Sequence, residues 1–229
     1  MKRFLFSFLV SGFLLTFNSP SFAHDGSKNT YVVMPGISVL VYNYAEVPWQ
    51  SLDRAEREAA WIFHGVGSEV IWTNCNTAIT GIPNGVNCTQ EVRPTELIVR
   101  ILPEITVVSG ITRDSTMGFA FGNLASVSFC RVKAEAAKFG VGPYAVLGPA
   151  IAHEIGHLLL GQQGHSPTGI MRARWQRRDY EAPALGAFKF SAEQAEQVRA
   201  EVIERERQQV GTAPSLTVTS HTSPVVDPL

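Results

Sequence analysis

The sequence predicts an α+β domain, and three observations predict it. Short apolar runs of strand character recur at residues 36–44, 69–73 and 96–102, each bounded by Gly, Pro or Asn. Segments whose apolar residues recur at helical spacing lie between and after them, at 51–63, from 143 to 160 and from 191 to 210. The second of those helical segments carries two histidines four residues apart, His153 and His157, with Glu154 between them.

The chain opens with residues 1–23, which read as a secretory signal peptide. Lys2 and Arg3 supply the basic start, 4–17 are an apolar core, and Ser21-Phe22-Ala23 is a small-x-small cleavage site. The apolar run is shorter than the roughly 18 residues that a spanning helix needs. The mature chain is therefore expected to begin at His24, to be secreted or periplasmic, and to have no membrane attachment after signal cleavage. Loss of Lys2 and Arg3 leaves 17 basic against 20 acidic residues, a net charge near −3 that points away from nucleic acid. About 205 residues remain, enough for one domain over 24–210 with a sizeable core, expected as a monomer. Residues 211–229, rich in Thr, Ser, Pro and Val, read as a disordered tail.

Residues 36–44 (GISVLVYNY) alternate branched apolar residues with small or polar ones, as a first strand does. Residues 51–63 turn helical: Ser51 is a good N-cap, Arg54 and Glu58 are spaced as an i,i+4 pair, and Leu52, Ala55, Ala59 and Ile62 make the apolar face. Gly65 and Gly67 close that helix, and 69–73 form the second strand. Cys75 and Cys88 flank an Asn-, Gly- and Pro-rich segment and are the natural disulfide pair of an exported chain with three cysteines, which leaves Cys130 as a small buried thiol. Residues 96–102 (ELIVRIL) make a third strand, stopped by Pro103. Residues 117–130 (MGFAFGNLASVSFC), with Gly118 and Gly122 inside, read as a bent strand or as two strands in succession. From Pro143 the pattern is helical up to Leu160. Pro149 either opens that helix or bends a longer one that starts near Gly142, the preferred reading, and Gly161 ends it. A last helix runs from Ser191, with Ser191 and Gln194 as a capping box, through Val210.

An α-helix turns about 100° per residue, so His153 and His157 project from one face and can share a metal ion. Glu154 then stands where a general base belongs. Zn2+ is the expected metal, and two histidines leave it one protein ligand short. The helix ends at Gly161 and the chain can reverse, so His165 can return an imidazole to the same ion; Asp179 and Glu181 are the rival third ligands. The stretch HEIGHLLLGQQGH resembles the metzincin metallopeptidases, whose signature is HExxHxxGxxH followed by a Met-containing turn. It departs from them in spacing, with Gly161 one position and His165 two positions later than the signature.

The resemblance implies a zincin domain with a twisted, mostly parallel sheet, an active-site helix and a C-terminal helix, with Zn2+ on His153, His157 and His165. It implies an exported zinc metalloendopeptidase that hydrolyses peptide or protein substrates through a zinc-bound water, with Glu154 as general base. Met171 resembles the turn methionine beneath the histidines, and residues 120–129 take the place of a cleft-edge strand that pairs with extended substrate. Tyr180 is a candidate for the tyrosine that stabilises an oxyanion in some metzincins. Arg172, Arg174, Arg177 and Arg178 with Trp175 form a basic cluster, either a solvated loop or a rim for acidic substrate groups. Two alternatives remain open: an exported zinc-binding protein without peptidase activity, and a metal-dependent amidase acting on a non-peptide amide.

Overall fold

The computed structural model describes residues 34–75, 88, 92–93, 95–105, 117–161, 164–181 and 188–211. The expected leader at 1–23, the expected tail at 211–229 apart from Gly211, and the loop residues Gln162 and Gln163 lie outside them. Along the chain run β1 (Gly36–Asn43), α1 (Trp49–His64), β2 (Glu69–Cys75), β3 (Leu97–Leu102), β4 (Gly118–Phe121), β5 (Leu124–Ser128), α2 (Phe129–Phe139), α3 (Tyr144–Leu160), α4 (Arg177–Glu181) and α5 (Ala192–Gly211). The strands form one sheet in the order β2-β1-β3-β5-β4. β1 runs parallel to β2 and β3, β3 parallel to β5, and β4 antiparallel to β5. This is the α+β, mostly parallel arrangement expected from the sequence.

The register follows from the period-two patterning of the strands. Val39 and Val41 pair with Leu97 and Val99, and Val99 and Ile101 pair with Ala125 and Val127, so all of them share one face of the sheet. Each is fully buried. A slip by one residue would turn the whole set to the other face, and each large aliphatic side chain so exposed would cost roughly 1.5–3 kcal/mol.

α3 packs against α1, α2, α5 and strands β3, β4 and β5. It is buried on nearly all sides, which suits its almost wholly apolar sequence YAVLGPAIAHEIGHLLL. α1 crosses it where Gly148 lacks a side chain: a Cβ there would lie 2.7 Å from the Ala55 carbonyl oxygen and 2.7 Å from Glu58 Cβ. Pro149 lies inside α3, so the helix does not begin there. α5 begins with the expected capping box, Gln194 N–H donating to Ser191 Oγ at 3.2 Å and Ser191 N–H to Gln194 Oε1 at 3.1 Å. The Cys75–Cys88 disulfide forms, with Cα atoms 5.4 Å apart.

Several local expectations are corrected. α1 starts at Trp49 rather than Ser51, which lies inside the first turn with its N–H on the Pro48 carbonyl; Pro48 is the residue before the helix. Arg54 does not pair with Glu58 but lies 4.0 Å above the Tyr144 ring, and the i,i+4 ion pair of that helix is Asp53–Arg57. The 117–130 segment is two strands in succession, as one of its two readings had it, joined as a hairpin at Gly122, which takes φ 59°; only its last two residues depart, since they already belong to α2. That helix was not anticipated. Val132 and Ala136 turn inward, and Gly140, at φ 70°, ends it in the left-handed conformation. Cys130 accordingly sits half-buried on α2, its Sγ 3.3 Å from Ser128 Oγ, rather than fully buried after a strand. The last strand of the sheet among the described residues is β4, not the 120–129 segment, because β5 lies inside between β3 and β4.

Candidate metal centre

α3 carries His153 and His157 one turn apart, and the chain after Gly161 brings His165 to meet them. Gly161 takes φ 82°, and Gly164 N–H returns to the Gly161 carbonyl at 3.1 Å, which reverses the chain within a few residues. His157 Nε2 lies 3.1 Å from His153 Nε2 and 3.1 Å from His165 Nε2. Four ligands at a Zn–N distance of about 2.0–2.1 Å stand roughly 3.3 Å apart at tetrahedral angles. Both distances from His157 are thus close to that spacing, all three ligand nitrogens lie within 4.8 Å of one another, and the three histidines form a group able to hold a metal ion.

The protonation pattern suits that use. His153 Nδ1 donates to the Ile170 carbonyl at 2.8 Å, since a carbonyl can only accept, and this leaves the Nε2 lone pair free. Burial pushes the His153 pKa down to about 4, against the raising effect of its bond to Ile170 and helped by the neighbouring His157 and His165. Burial also lowers that of His157. Both rings are thus neutral, as ligands must be, at ordinary pH.

Glu154 is buried, and Oε2 has no hydrogen-bond partner. Desolvation raises its pKa to about 8, and a divalent cation nearby would pull it back down. The carboxylate packs against β4 at Gly118, where a Cβ would come within 2.6 Å of Oε1. Met171 is fully buried and lies beneath α3 at Gly156, where a Cβ would meet its Sδ at 2.5 Å. It forms an apolar floor under the helix turn that carries both histidines.

Of the rival ligands, Asp179 is otherwise engaged: Oδ2 accepts the Gln176 N–H at 2.6 Å and lies 3.4 Å from Arg172 Nη1. The group of metal-capable side chains found among the described residues is His153, His157 and His165. Glu181 ends α4, and its side chain lies outside the description. Tyr180 does not line the cleft. It is buried among Phe139, Trp175 and Phe188, at ring distances of 5.1, 6.1 and 5.3 Å, and its hydroxyl has no partner. The expected oxyanion role for Tyr180 is therefore not met by its position.

The histidines and Glu154 open into a cleft of about 750 Å³. One wall is Met117 with Gly118, Phe119 and Ala120 of β4, and others carry Glu135, Lys138, Arg172, Arg174 and Trp175. Glu135 and Lys138 pair with each other at 3.3 Å. Gly118, the Ile170 carbonyl and the α2 residues were not foreseen; a glycine beside a strand end was the one visible hint. Among the described residues no helix is long and apolar enough to cross a membrane.

No protein-family model matches the chain, and no curated protein matches it. Among solved structures, it is similar to a zinc-dependent peptidase from Methanocorpusculum labreanum at 15% identity, covering 70% of this chain and 99% of that one, with a TM-score of 0.45. It is also similar to an archaemetzincin from Methanopyrus kandleri at 14% identity, covering 74% and 97%, with a TM-score of 0.48. An archaemetzincin from Archaeoglobus fulgidus, complexed with malonate, is matched at 17% identity over 71% and 99%, with a TM-score of 0.43. At these identities and scores the functional reading rests on the site's own geometry.

Proposed function

We propose that the protein is an exported zinc metalloendopeptidase, with His153, His157 and His165 as zinc ligands and Glu154 as general base. The observation that carries this reading is the meeting of three imidazoles, with His157 Nε2 3.1 Å from the Nε2 atoms of both His153 and His165, beside a buried carboxylate in an open cleft. Borderline-soft nitrogen donors in a trigonal set, with one side left open, fit catalytic zinc. Export is supported by the disulfide, which persists in oxidising compartments, together with the leader pattern at 1–23.

When bound, Zn2+ supplies Lewis acidity that acidifies a water and polarises the scissile carbonyl. Glu154 Oε accepts the proton of the attacking water and passes it to the departing amine, so no covalent enzyme intermediate forms. The Ile170 carbonyl holds the His153 ring in its Nδ1–H form. β4, last in the sheet order, offers its outer backbone to an extended peptide, which would add as a further strand across the cleft. A substrate bound that way is a peptide, which favours a peptidase over an amidase acting on other amides.

Metal analysis of the mature protein beside His165→Ala, followed by peptide-library cleavage with and without chelator, tests the proposal. One zinc per chain is expected in the wild type and a large loss of it in His165→Ala, with chelator-sensitive cleavage. Glu154→Gln should keep zinc and lose turnover by two or more orders of magnitude, on the order of general-base contributions. Full zinc in His165→Ala sinks the three-histidine site, and a zinc-loaded wild type that cleaves no peptide sinks the peptidase.

A further inference from the structure

The carbonyl of Ile170 accepts two hydrogen bonds at once, from His153 Nδ1 at 2.8 Å and from the Trp175 indole Nε1 at 3.2 Å. The same indole stands edge-on to the His153 imidazole, with centroids 5.6 Å apart and planes at 87°. Trp175 therefore meets this histidine twice, by direct packing and through the shared carbonyl. Its other contacts hold it in place: Phe188 lies at 5.1 Å and Tyr180 at 6.1 Å, both nearly perpendicular. The preceding peptide unit is fastened too, since the Ile170 N–H donates to the Lys189 carbonyl at 2.9 Å. A carbonyl has two lone pairs, so the second donor does not displace the first; it fixes the direction in which the oxygen faces.

Resting on the zinc reading above, we propose that Trp175 is a positioning residue for the metal centre. By donating to the Ile170 carbonyl and packing on the His153 ring, it holds that imidazole in the tautomer and orientation that present Nε2 to the ion. Partners of this outer kind, when removed, weaken metal affinity by roughly 10–100-fold.

Zinc dissociation constants, measured by competition with a chromophoric chelator, and the visible absorption of the Co2+-substituted protein test the assignment without recourse to activity. Trp175→Phe keeps an aromatic edge against His153 and deletes the donor. It should weaken zinc by about 10-fold and alter the cobalt bands. Tyr180→Phe, which removes a hydroxyl without a partner, should change neither. Where Trp175→Phe fails to fold, site-specific incorporation of 3-benzothienyl-alanine at position 175 replaces the N–H by sulfur in the same shape, and the same 10-fold loss is expected. Wild-type affinity and an unchanged cobalt spectrum in the donor-deleted protein overturn the proposal. A wild type that itself takes up no zinc overturns the zinc reading instead, so the two failures are distinguishable.

Discussion

Gly118→Ala puts the packing of Glu154, the proposed general base, to a direct test. The added methyl would stand 2.6 Å from Glu154 Oε1, 2.7 Å from Glu154 Cδ and 2.6 Å from the Ser126 carbonyl oxygen. A carbon and an oxygen in non-bonded contact settle at roughly 3.3 Å, so something must retreat by about 0.7 Å. Ser126 belongs to β5, is fully buried and is paired on both sides, so the carboxylate and the β4 edge take most of the displacement. Misplacing a reacting group by about 1 Å costs on the order of 100-fold, and a fall in kcat of roughly 10–100-fold is expected. Overpacking costs about 1–3 kcal/mol, which in a domain of this size lowers Tm by roughly 2–4 °C per kcal/mol. Zinc content should be unchanged, because the carboxylate is not among the three proposed ligands. Peptide hydrolysis, calorimetry and metal analysis read the three quantities. Wild-type turnover and Tm together would refute the contact between Glu154 and Gly118, and loss of zinc in step with turnover would refute the separation of base from ligands.

Two further predictions concern charge. Glu56 is buried on α1, and desolvation lifts its pKa to about 7, against a 3.3 Å bond from Asn74 that lowers it; the unfolded chain ionises near 4.5. Between those two values the unfolded state releases its proton while the folded state keeps it, so stability falls as pH rises, by up to roughly 3 kcal/mol, and the loss is complete above pH 7. Glu56→Gln should therefore match wild type in Tm near pH 4 and exceed it at pH 8; parallel Tm profiles would refute the buried carboxyl. Arg174 is exposed on the cleft wall, whereas Arg172 pairs with Asp179 and Lys138 with Glu135. Paired peptides differing by Glu against Gln near the scissile bond should favour Glu by several-fold in kcat/KM, a preference that Arg174→Glu reverses and that salt weakens; equal rates for both peptides would leave the arginine a solvated loop residue.

What the sequence made legible has a physical pattern. β1 and β3 and the inward face of α1 could be read because each buries one face, and burial imposes period two or 3.6 on the residues themselves. α2 could not, because Ser128 is both the last residue of β5 and the residue that precedes the helix, so no turn residue marks the change. His153, Glu154 and His157 were legible through their helical spacing alone. Gly118, Ile170 and Trp175 were not: a glycine read as a bend is a gap made for a carboxylate, and a carbonyl that orients a ring is independent of the side chain it belongs to.

The same distinction explains why two extra residues before His165 do not open the site. Motif spacing would suggest that the third histidine is placed by the length of its loop. In the structure it is held from outside that loop as well. Gln194 uses both ends of its amide: Oε1 accepts the Ser191 N–H and caps α5, while Nε2 donates to the Gly164 carbonyl at 2.9 Å, one residue before His165. On the other side of His165, Ser166 N–H donates to the Met171 carbonyl at 2.9 Å, so the residues on both flanks of the histidine are fastened to parts of the fold outside its loop. A loop held at its end tolerates added length, because each doubling costs only about 0.6 kcal/mol of closure entropy. The position of His165 is therefore supported by α5 and the Met171 turn as well as by the reversal at Gly161, and does not rest on the count of residues alone.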